Sequence, residues 1–127
     1  LNYQFYGLKN ELLCHEGKIM TTKIKNMDKE ILFFIEKVKD KIGKNLIKIL
    51  LYGSRARGDY WDGSDYDFIV ILQKKDSEAY KLIQNIEIDF LNTFDALSSC
   101  LVFNENEWEE RKQLPLGINV RREGITL

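Results

Sequence analysis

Residues 51–71 read LYGSRARGDYWDGSDYDFIVI. The stretch opens and closes on apolar runs, yet four aspartates and two arginines crowd its middle. The closing run, DYDFIVIL over 65–72, has the composition of a β-strand. Side chains alternate along a strand, so Asp65, Asp67, Ile69 and Ile71 share one face, and Tyr66, Phe68, Val70 and Leu72 share the other. Both faces turn apolar beyond Asp67, the mark of a central strand covered on both sides. The two carboxylates therefore sit at the strand's mouth and point the same way, roughly 6–7 Å apart along the backbone. Like charges held close repel unless a cation lies between them. Oxygen donors beside a phosphate suit Mg2+ or Mn2+.

The preceding run, LIKILLY over 46–52, reads as another strand, and Gly53-Ser54 follow it directly. A glycine there lets the backbone approach a ligand closely. A serine opening a short helix offers its hydroxyl and nearby N–H groups to an anion. Arg55 and Arg57 add positive charge in the same loop. Together these make a phosphate cradle a short loop away from a carboxylate pair. No G-K-[ST] occurs, so the phosphates would be held by the Gly-Ser backbone and a metal rather than by a P-loop lysine. The residues alone leave a plainer reading open. Asp62, Gly63 and Ser64 are turn chemistry, Ser54 can be a simple helix cap, and the arginines can belong to a solvated loop. An EF-hand is excluded, because the twelfth position counted from Asp59 is Val70 where a bidentate Glu is required.

The flanking sequence alternates helix and strand. Ile31, Leu32, Phe34, Ile35, Val38 and Ile42 recur at helical spacing, with Asp28 placed to cap the start and Gly43 just past the end. Ser77 can cap a second helix over 77–91, with Leu82, Ile83, Ile86 and Phe90 on one face. FDALSSCLVF over 94–103 reads as a third strand, and 105–112 as a short polar helix. The tail over 118–127 reads as a last short strand or turn. The expected class is α/β (α+β): a small mixed sheet flanked by helices. The 127 residues suit one domain, placed over 20–127. Residues 1–19 stand apart as an N-terminal extension, either a misassigned start, a partner-binding arm or an extra packed helix.

Composition narrows the partners. With a formal net charge of -1 and a pI near 5.9, the chain lacks the basic balance of a dedicated nucleic-acid binder, so no stable DNA binding is expected. No apolar run is long enough to span a membrane. Cys14 and Cys100 lack metal-site spacing and form no disulfide scaffold, which points to a reducing, cytoplasmic setting. The lone histidine, His15, lies far from the loop in sequence and is assigned no role.

Gly-Ser, ten residues, then D-x-D is a pattern that resembles the signature of the DNA polymerase β-like nucleotidyltransferases. The longer stretch LLYGSRARGDYWDGSDYDFIVIL is similar to the minimal nucleotidyltransferases, small proteins of the type of the MntA antitoxin, often encoded beside a helical HEPN-type toxin. The resemblance covers roughly residues 28–127. It implies the polymerase β-like fold and transfer of a nucleoside monophosphate, commonly AMP from ATP, to an acceptor hydroxyl. It implies a third carboxylate on a following strand, for which Asp95 is the best match and Asp89, inside a helical pattern, the competitor. Asp65, Asp67 and Asp95 would then hold two Mg2+ or Mn2+ ions, with Asp95 also taking the acceptor's proton. Gly53 and Ser54 would hold the triphosphate, and Arg55 or Arg57 would neutralise the leaving pyrophosphate. The implied acceptor is a tyrosine of a HEPN-type partner. The alternatives are a small molecule such as an aminoglycoside, or an antitoxin that acts by occlusion without chemistry. Arg121 and Arg122 would either reach a nucleotide or partner, or remain surface charges. The small core leaves the acceptor pocket to another protein or to a second copy in a homo-oligomer.

Overall fold

The computed structural model of the chain describes residues 28–127. The extension expected over 1–19, with Cys14 and His15, lies outside the described residues. One compact unit, Phe33–Leu127, holds the sheet and the candidate site.

Helix α1 (Lys29–Ile42) starts where the Asp28 carboxylate accepts the Ile31 N–H at 3.0 Å. It ends at Gly43, whose φ of 62° turns the chain into a 3-10 turn, Gly43–Asn45. Strand β1 (Leu46–Tyr52) follows, then a single helical turn α2 (Ser54–Arg57), then strand β2 (Tyr66–Leu72). The Asn45 side chain locks the far ends of these strands together. It accepts from Lys74 N–H at 2.8 Å and donates to Lys74 O at 2.7 Å. Helix α3 (Ser77–Phe94) leads to strand β3 (Ser98–Asn104), helices α4 (Glu105–Arg111) and α5 (Pro115–Glu123), and a two-residue strand β4 (Ile125–Thr126).

The sheet order is β3-β2-β1-β4. β1 runs antiparallel to both β2 and β4, while β2 and β3 are parallel across the α3 crossover. This is the mixed sheet flanked by helices that the alternation of elements predicts. β2 is central, and Phe68, Ile69 and Val70 are wholly buried because both faces are covered. On one face Phe34 stacks on Phe68 with ring centroids 3.8 Å apart, and Phe90 meets Tyr66 edge-on at 5.4 Å. On the other, Leu50, Ile69, Ile71, Phe103, Trp108 and Val120 form one buried cluster under α4 and α5. β3 is an edge strand, and three backbone groups on the side away from β2 are taken by side chains. Cys100 N–H donates to Glu87 (3.0 Å), Val102 O accepts from Lys75 (3.2 Å), and Asn104 N–H donates to Glu107 (2.9 Å).

Three expectations need correction. Helix α3 is capped by Asp76, whose side chain accepts the Ala79 N–H at 2.9 Å, and Ser77 is its first residue. The helix also runs on to Phe94, because Phe33, Phe90 and Phe94 pack edge-to-face within 5.1–6.3 Å and hold the last turn. β3 consequently begins at Ser98 rather than at Phe94. The tail is mostly helical. Pro115 sits in the first turn of α5, where a missing N–H costs nothing. Gly117 lets α5 pass against the Arg111 and Lys112 backbone, where a side chain would collide.

Phe68 fills the central strand's helix-facing side. Phe68→Ala is expected to destabilise the fold by about 3–5 kcal/mol, read as a fall in the urea midpoint with the slope unchanged.

Candidate active site

The antiparallel register sets Tyr52 opposite Asp67. The end of β1 and the start of β2 therefore meet at one end of the sheet. Gly53, the next residue, has φ 73° and ψ -160°. L-residues avoid that conformation. A methyl group at Gly53 would also overlap the Asp67 carboxylate. Glycine is thus required twice over, by backbone angle and by close approach. From there α2 opens, with the N–H groups of Ala56 and Arg57 both donating to Gly53 O at 3.0 Å. The first N–H groups of a helix have no acceptor within it. Here those belong to Ser54 and Arg55, next to Gly53 and the Asp67 carboxylate.

The two arginines have different tasks. Arg55 donates through Nε and Nη2 to Ser64 O (3.3 and 3.1 Å) and through Nη2 to Asp62 O (3.2 Å). Its guanidinium lies between the rings of Tyr60 and Tyr66, 4.2 Å from each centroid. The resemblance offers it to the nucleotide; here its Nε and Nη2 bond the 58–65 loop, and its guanidinium packs on Tyr60 of that loop and on Tyr66, the first residue of β2. Arg55 is the staple that fixes Ser64, the residue immediately before Asp65. Arg57 pairs instead with Asp59 and Glu123, each at 3.2 Å, and its side chain is 41% exposed. Exposed pairs of this kind are weak, so this cation is available to an incoming anion.

Asp65 and Asp67 lie near enough for the charge of one to act on the other. Asp65 stands just outside β2 and is exposed, while Asp67 is half-buried within it. Burial raises the pKa of the Asp67 carboxyl above its ordinary value, the charge of Asp65 raises it further, and Arg57 pulls it back. A divalent cation between the two would relieve that repulsion. The donor set suits Mg2+, which binds through one or two carboxylates and fills its remaining positions with phosphate and water.

Asp95 does not join them. It lies before β3, at the C-cap of α3 with φ 52°, and is exposed. Aspartate tolerates this left-handed conformation better than most residues, which accounts for it as a helix terminator. Among the described residues no group of three His, Cys, Asp or Glu is placed to hold a metal. Asp89 is exposed on α3, and Asp59 is paired with Arg57. Two neighbours of Asp67 escape the sequence reading. Tyr52 lies across from it on β1, and its hydroxyl is harder to ionise because of burial first, then Asp67, then Cys100. Ser99 lies beside it on β3. Tyr52 has a local signal, its place directly before Gly53; Ser99 has none without the register. Arg121 donates to Lys112 O and Arg122 to Asn119, both at exposed positions. A cleft of about 220 Å³ under α4 and α5, lined by Lys48, Leu50, Trp108, Lys112, Val120 and Arg121 among others, includes none of Gly53, Ser54, Arg55, Arg57, Asp65, Asp67 and Asp95.

A four-stranded mixed sheet with Gly-Ser at the end of one strand and paired aspartates at the start of the next defines the class of small nucleotidyltransferase domains. The Polymerase beta, Nucleotidyltransferase family model matches residues 34–113, and the chain belongs to that family. Two relatives come from Methanocaldococcus jannaschii, both provisionally named protein adenylyltransferases. MJ1305 is 39% identical over 61 residues, covering 46% of this chain and 42% of its own length. MJ0604 is 41% identical over 46 residues, covering 36% of this chain and 46% of its own. The matches thus span less than half of each relative. Among solved structures, a toxin–antitoxin with AMP-PNP aligns with a TM-score of 0.55 at 19% identity, over 78% of this chain and 72% of that one. A mutant of the toxin–antitoxin MntA-HpeT aligns equally well, over 80% and 72%. At such identity the likeness shows the fold alone.

Two outcomes follow from this geometry. A carboxyl whose pKa is raised by folding costs the fold stability when it ionises, so that stability is lost as the pH rises through the raised value. In chelator-treated protein, Asp67→Asn should raise the melting temperature by a few degrees at neutral pH. The gain should fade as the pH drops through the carboxylate range, where the wild-type group is protonated as well. For the staple, Arg55→Lys keeps the charge but loses the fork and the ring stacking. Limited proteolysis should then cut the 58–65 loop several-fold faster, with the sheet still folded by circular dichroism.

Proposed function

We propose that this chain is a metal-dependent nucleotidyltransferase that moves AMP from ATP to a hydroxyl of a partner protein, in the role of an antitoxin. The observation that carries the reading is the contact between Gly53 and Asp67. It sets a helix start suited to phosphate directly beside a carboxylate pair suited to a divalent ion. The protein adenylyltransferase names of the two archaeal relatives support a protein acceptor. The toxin–antitoxin structures, one with AMP-PNP, support ATP as donor and a toxin as partner.

In this reading the backbone at Gly53-Ser54 and the Ser54 hydroxyl hold the triphosphate. Asp65 and Asp67 would hold Mg2+ or Mn2+, which when bound neutralises phosphate charge and orients the α-phosphate. Arg57 swings from its exposed pairs to the leaving pyrophosphate. Arg55 keeps Asp65 in place through the Ser64 carbonyl. The acceptor oxygen bonds to the α-phosphorus, the bond to pyrophosphate breaks, and the hydroxyl proton is released. The finer acceptor assignment is a tyrosine on a HEPN-type protein encoded nearby.

The test is direct. Purified chain, the neighbouring gene's product and Mg2+ are incubated with ATP labelled at the α-phosphate. Label should move to the partner, and Asp67→Asn should reduce transfer by at least 100-fold, on the order expected for loss of electrostatic stabilisation at the reacting phosphate. If Asp67→Asn silences the partner as well as wild type does and no label moves, the chain acts by occlusion instead.

A further inference from the structure

The register between β2 and β3 bears on how many ions the site can hold. Side chains at paired positions of neighbouring strands lie on the same face, with the strands about 4.8 Å apart. On that face Asp67 has Tyr52 on one side and Ser99 on the other. Neither carries a negative charge at neutral pH. Asp95 stands outside β3 at the end of α3 and is exposed, and no third acidic or metal-ligating residue completes the cluster among the described residues. Two carboxylates can balance one divalent charge. Without nucleotide phosphates to supply charge, a second divalent ion about 4 Å from the first would need another negative ligand on the chain, and the β3 position beside Asp67 holds a serine.

We infer that this chain, free of nucleotide, binds a single divalent ion through Asp65 and Asp67, with Ser99 at the β3 position beside Asp67 where a third carboxylate could stand. The inference rests on the nucleotidyltransferase reading but concerns the metal count, which that reading leaves open. Ser99 is exposed and its side chain is small, so a carboxylate can be placed there without disturbing the buried layers.

The experiment counts ions with Mn2+ alone, following the free-ion signal by electron paramagnetic resonance with the full chain. Wild type should take up one ion per chain. Ser99→Asp should bind that ion about ten-fold more tightly, since affinity follows the number of charged ligands, while Ser99→Ala and Asp95→Asn should stay within two-fold of wild type. Two ions on the wild type, a large loss of affinity in Asp95→Asn, or no gain in Ser99→Asp would each overturn the inference. Should Ser99→Asp fail to fold, the wild-type count and Asp95→Asn still decide it. The two readings fail separately. Two ions with active transfer would sink the single-ion site and leave the enzyme standing. One ion with no transfer to any acceptor would do the reverse.

Discussion

Everything at the site hangs on one register, the pairing of Tyr52 with Asp67. It brings the end of β1 level with the start of β2, so Gly53 turns away where the Asp67 carboxylate projects. The same pairing places the loop between the strands over the sheet's end, where Arg55 can reach back to Ser64. The register is held from the far end too, by the Asn45 side chain bonded to Lys74 on both its polar atoms. A slip by one residue would exchange the two faces of β2, sending Asp67 toward the Phe34 layer and Phe68 toward the cluster under α4 and α5. The buried Phe34–Phe68 stack and the carboxylate's place at the open end are therefore two results of one alignment.

Much of this is legible in the residues because it is local. The strand at 46–52 coincides with β1, and the central strand differs from β2 only by its first residue. The helix over 28–42 has its Asp28 cap and Gly43 stop where local rules put them. The Gly-Ser and D-x-D elements need only a strand, a turn and a strand to meet. What is hidden depends on distant parts. Helix α3 continues to Phe94 because Phe33, far off in sequence, packs against its last turn. That extension pushes β3 later, and it turns Asp95 from a strand residue into a helix terminator. Ser99 takes the place beside Asp67 for the same reason. Local periodicity cannot set the register of a parallel pair joined by a long crossover. The role of Arg55 is hidden similarly, since charge alone does not tell a staple from a ligand; only the two tyrosine rings and the Ser64 carbonyl do.

The occupied edge of β3 has a consequence for assembly. An unpaired strand edge is a template on which another chain can lay down a strand of its own. Here Glu87, Lys75 and Glu107 occupy a backbone N–H, a carbonyl and a second N–H along that edge. An incoming strand would have to displace three charged side chains, one of them, Glu87, half-buried and reluctant to ionise. At the opposite end of the sheet β4 offers only two residues, too short a ladder to hold a guest. Among the described residues, both edges of the sheet are thus poor templates for a further strand. In the proposed role, a partner protein would then be recognised through side chains and surface shape, and a change of partner could be made by surface substitutions that leave the sheet untouched.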